Sequence, residues 1–156
     1  MRSKAFLIRR LAPLLVLPLW VGAGGCEATL EIDNAAPRVT FFAAAPASDD
    51  VVDLTVWILD LDGEPVDLEV SYQADGGGSE TPIWAPGGHG INGLTTLDGL
   101  FEPEGQPHLL RWDVSGLDPS TSVRVTLVPD DLLDRGETVT SPAFILADGL
   151  QGAVEL

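Results

Sequence analysis

Residues 51–74 read VVDLTVWILDLDGEPVDLEVSYQA. Val52, Leu54, Val56 and Ile58 alternate with Asp53, Thr55 and Trp57, and Val66, Leu68, Val70 and Tyr72 alternate with Asp67, Glu69 and Ser71. A period of two puts one apolar row on one face of an extended strand, so the spacing predicts strands over 51–60 and 66–74. Between them, Leu61-Asp62-Gly63-Glu64-Pro65 supplies turn chemistry: Asp and Gly tolerate positive φ, and Pro removes a backbone donor.

The same pattern continues on both sides. Further strands are predicted over 38–44, 82–85, 108–114, 122–128 and 143–147. Residues 122–128 are the clearest, with Val123, Val125 and Leu127 set against Ser122, Arg124 and Thr126. Asp75-Gly76-Gly77-Gly78 and Gly116-Leu117-Asp118-Pro119 punctuate them. The 17 glycines and 12 prolines leave no long 3.6-residue apolar repeat after Pro37, which disfavours helices. About seven short strands in roughly 110 residues argue for an all-β, antiparallel sandwich over residues 37–148, with a small barrel as the alternative. Residues 76–107 are poorer in pattern, with one further strand conceivable near 91–97. Residues 149–156 read as a C-terminal tail.

Charge is segregated along the chain of 156 residues. Arg2, Lys4, Arg9 and Arg10 precede every acid, whereas from Glu27 onward four arginines face 24 acids, a net charge of −20. Such a chain is repelled by nucleic acid and by bare anionic lipid, so no nucleic-acid partner is expected. A single cysteine excludes an intrachain disulfide framework and a cysteine-rich zinc site.

After the basic residues comes an 11-residue apolar run, Leu11–Val21 (LAPLLVLPLWV). It falls short of the roughly 20 residues needed to cross a hydrocarbon core and suits an export signal. Gly22-Ala23-Gly24-Gly25 follows, and then Cys26, the sole cysteine. This arrangement resembles the lipobox of bacterial lipoproteins, which implies cleavage before Cys26 and a diacylglycerol on its sulfur. Residues 1–25 are then a signal peptide and residues 26–36 a lipid-anchored linker. The ten residues from Glu27 reach at most roughly 35 Å. The segments 51–77, 108–117 (HLLRWDVSGL) and 122–131 (SVRVTLVPDD) resemble an immunoglobulin-like or fibronectin type III-like domain of the kind found in bacterial envelope proteins.

Candidate chemistry is sparse. Asp60, Asp62 and Glu64 alternate in one turn, and Asp130, Asp131, Asp134 and Glu137 follow the strand at 122–128. In a sandwich of this topology both loops lie at one end. They form either a calcium site at Asp60, Asp62, Glu64, Asp130, Asp131 and Asp134 or a solvated acidic rim. The full EF-hand spacing is absent, because position 71 is Ser where a bidentate Glu is required. Trp57, Trp84 and Trp112 offer either core packing or a sugar-stacking platform, with Trp84 the residue closest to the Gly-rich stretch and the candidate for ligand stacking. His89 and His108 lack metal-ligand spacing, and Ser79 lacks a Gly-x-Ser-x-Gly elbow. The sequence thus points to a non-catalytic lipoprotein, exported and membrane-anchored in the cell envelope, with a domain that binds or scaffolds a protein or glycan. No cofactor is implied, calcium apart. The alternatives are a calcium-stabilised adhesion or carbohydrate-binding module and, second, a small secreted hydrolase.

Overall fold

The computed structural model describes residues 34–96 and 104–155, and the expectations that fall on residues 1–33, Cys26 among them, lie outside the described residues. Those described form strands and turns without a helix. In chain order the strands are β1 (Arg38–Ser48), β2 (Val51–Leu59), β3 (Asp67–Ala74), β4 (Ser79–Glu80), β5 (Ile83–Trp84), β6 (Gln106–Asp113), β7 (Ser122–Asp130), β8 (Val139–Thr140), β9 (Phe144–Ile145) and β10 (Val154–Glu155). One sheet runs β10-β1-β2-β6-β5 and the other β4-β3-β7-β8, with β9 also paired to β7. All pairings are antiparallel. The long strands divide β1, β2, β6 against β3, β7, the two antiparallel layers of a β-sandwich.

The period-two rows become the two inner faces. Val52, Leu54, Val56 and Ile58 are buried from one sheet, and Leu68, Val70, Tyr72, Val123, Val125 and Leu127 from the other. Each such side chain contributes about 1.5–3 kcal/mol on leaving water. Trp112 of β6 fills the space between the sheets, and its ring meets that of Tyr72 at 4.6 Å between centroids and 48° between planes. The Tyr72 hydroxyl donates to Glu80 Oε2 at 2.8 Å, so the buried phenol is satisfied from β4.

Several boundaries differ from those the pattern predicts. β1 runs on to Ser48 through Pro46, with an irregularity between Pro46 and Ser48. Proline is tolerated there because β10 covers β1 only near Phe41 and Phe42, leaving the far edge with no ladder bond to lose. The strand expected over 143–147 is shorter, and β8 was not foreseen; two-residue strands carry no readable period. Of the strand expected near 91–97, the described residues 91–96 hold a bridge: Val66 and Leu94 exchange backbone bonds of 2.9 and 2.8 Å. Residues 149–155 are part of the domain, not a free tail. Leu150 N–H donates to Ala44 O at 2.8 Å, and β10 pairs with β1. Gly136 is required by close approach, since a Cβ there would fall 1.9 Å from the Pro37 carbonyl oxygen.

Trp112→Ala leaves a cavity between the sheets and strips Tyr72 of its partner. We expect a loss of about 3–5 kcal/mol in urea unfolding, and unchanged stability would refute the assigned core.

Candidate functional site

Two acidic turns meet at one end of the sandwich, as the topology predicts. Asp60, Asp62 and Glu64 follow β2, and Asp130 to Asp134 close β7. Asn34 and Ala35 sit between them. Asn34 Nδ2 donates to Asp131 Oδ2 at 2.8 Å and to Asp134 Oδ2 at 3.1 Å. Ala35 N–H donates to Asp62 Oδ2 at 2.7 Å. The linker expected over 26–36 is therefore pinned at its C-terminal end.

Within each turn the carboxylates accept from nearby backbone. Asp62 N–H donates to Asp60 Oδ1 at 2.8 Å. Leu132 N–H donates to Asp130 Oδ1 at 2.8 Å. Asp131 Oδ1 accepts from Leu133 N–H at 2.8 Å and Asp134 N–H at 2.6 Å. These are Asx-type turns, in which a short acid satisfies the donors that a reversing chain frees. Among the described residues no three His, Cys, Asp or Glu side chains are placed to hold a metal ion. Of the six carboxylates considered for calcium, five accept protein N–H donors. Glu64 presents a buried Oε2 without a partner, while its carbonyl accepts from Thr96 Oγ1 at 2.6 Å.

Asp60 and Asp131 divide the electrostatic load. Asp60 is fully covered by the turn, and its Oδ2 has no partner. Burial raises its pKa above 3.8; the Asp62 N–H opposes this, and the charges of Asp131 and Asp62 add to it. Asp131 is also buried, which alone would raise its pKa, but bonds from Asp134 N–H, the Asn34 amide and Leu133 N–H outweigh burial and lower it. The Asp60 carboxyl is thus held above its ordinary pKa and the Asp131 carboxyl below it.

Elsewhere the candidates have structural roles. Trp84 is half-buried, pairs in register with Trp112 and packs against the core, so it is not a freely exposed platform. Trp112 is core. His89 and His108 stack edge to face at 5.6 Å. His108 Nε2 lies 3.0 Å from Thr95 O, and His89 Nδ1 accepts from Leu109 N–H at 3.3 Å. Burial lowers the His108 pKa, the Thr95 carbonyl opposes this, and His89 adds to it. The pair anchors residues 89–95 to β6. Neither ring bonds to a carboxylate or a serine among the described residues.

One surface feature was missed. On the outer face of the first sheet, Phe41 and Trp57 are register partners with ring centroids 5.2 Å apart and planes at 37°. Trp57 falls between Val56 and Ile58 of the core row, so its outward direction was legible; its partner was not, because an irregularity between Val39 and Phe41 shifts the alternation of β1. Compared with protein-family models, curated proteins and solved structures, the chain matches none.

A carboxyl whose folded pKa is raised stabilises the fold fully below its unfolded value, and that contribution is lost as pH rises through the folded value. Asp60→Asn keeps an acceptor for Asp62 N–H and removes the charge. The variant should exceed the parent in stability above that window, because it has no charge to bury. The difference should vanish in acid. Melting curves of both proteins from acidic to neutral pH give the comparison, and parallel profiles would refute the assignment.

Proposed function

We propose that this chain is a non-catalytic lipoprotein of a bacterial cell envelope. It is exported by residues 1–25 and held on a membrane by a diacylglycerol on Cys26, and its sandwich serves as a binding or scaffolding domain. The observation that carries this reading is the position of the only cysteine. It stands directly after Gly24-Gly25, behind an 11-residue apolar run and a basic amino terminus, and before a short acidic linker. Each buried CH₂ of an acyl chain adds about 0.8 kcal/mol, so two chains suffice for stable anchoring.

The pinned linker supports a definite presentation. Asn34 and Ala35 bond into the acidic end, so a chain anchored at Cys26 turns that end toward the membrane. With anionic lipid beneath it, like charge holds the domain off the surface within a Debye length of about 10 Å at 0.1 M salt. The opposite end and the outer faces of the sheets are then free for a partner.

Mass spectrometry of the mature amino terminus should find a diacylated Cys26, and Cys26→Ser should move the protein from the membrane to the soluble fraction. An unmodified Cys26, or a mature chain that begins at Gly24, would overturn the proposal.

A further inference from the structure

We propose that the recess around Phe41 and Trp57 binds a small alkylammonium cation. The recess, about 370 Å³, is lined by Thr40, Phe41, Trp57, Glu104 and Glu155. Its walls are set by backbone pairing. Glu155 of β10 is the register partner of Phe41, and Phe41 that of Trp57, so a carboxylate and two rings stand in one row across three strands. Glu104 is brought alongside by its carbonyl, which accepts from Thr40 Oγ1.

Two acids and two aromatic side chains share this recess, and among the described residues that line it none is basic. Arg111, on the same sheet face, is committed to Asp53 at 3.1 Å. Ring faces carry negative quadrupole density, which attracts a cation, most strongly at tryptophan. Carboxylates beside the rings add an attraction that a neutral ligand does not receive. The rings also argue against a flat sugar. Planes inclined at 37° offer one pyranose no common flat platform, a constraint that a compact, roughly spherical ammonium does not have. The net charge of −20 after Glu27 draws cations toward the surface as a whole. This inference stands independently of whether Cys26 carries lipid.

The test is isothermal titration of choline chloride into the full-length chain in a neutral detergent. It is run beside the neutral isostere in which carbon replaces the ammonium nitrogen. Choline should bind at millimolar concentration or tighter, and the isostere about tenfold more weakly, the scale of one cation–π contact. Trp57→Ala should weaken choline by a similar factor. Glu104→Gln/Glu155→Gln alters two exposed side chains and should also weaken choline while leaving the melting temperature unchanged. Absence of choline binding, equal binding of the isostere, or full affinity in the double glutamine variant would each overturn the proposal.

Discussion

The contact between Tyr72 and Trp112 organises much of this domain. The two rings come from different sheets, and their 4.6 Å separation sets how those sheets meet near the middle of the core. Burying tyrosine brings an obligation, because its hydroxyl cannot be left without a partner. Glu80 meets it, which gives the two-residue strand β4 a reason to pair with β3. Burial first, and then the Glu80 carboxylate, raise the Tyr72 pKa and keep the phenol a donor. On the other side, Trp112 pairs with Trp84, so the edge strand β5 is held by the same aromatic anchor. Two short strands with little cohesion of their own are thus fixed by one inter-sheet contact.

The acidic end follows a different logic. A concentration of carboxylates would ordinarily open the loops by repulsion. Here backbone N–H groups and the Asn34 amide supply donors to the carboxylates. The cluster is stabilised by local hydrogen bonding from its own turns. This is how a domain with so few cations tolerates Asp60 and Asp131 as close neighbours.

What could be read in the sequence follows from where periodicity is strong. Val52 to Ile58, Leu68 to Tyr72 and Val123 to Leu127 each repeat often enough to fix strand, face and sheet. β4, β8, β9 and β10 are two residues long and owe their conformation to neighbours distant in sequence. The convergence of the two acidic turns was legible because topology places both loops at one end. The role of Asn34 was not, since a bond across 97 positions leaves no local signature. The Phe41–Trp57 pair escaped for a related reason, as the shifted register in β1 breaks the alternation that would have placed Phe41.

Force reaches this domain by a particular route because of Asn34. A pull on the residues before it is borne first by its two side-chain bonds to Asp131 and Asp134, which tie the strand-leading segment to the far sheet through the end of β7. After these come the Ala35 N–H bond to Asp62 and then β1, whose ladder with β2 extends from Arg38 to Ser48 and which β10 also flanks. The weak clip gives way before the long ladder. Asn34 and Ala35 thus join the segment leading into β1 to both acidic turns, at Asp131, Asp134 and Asp62.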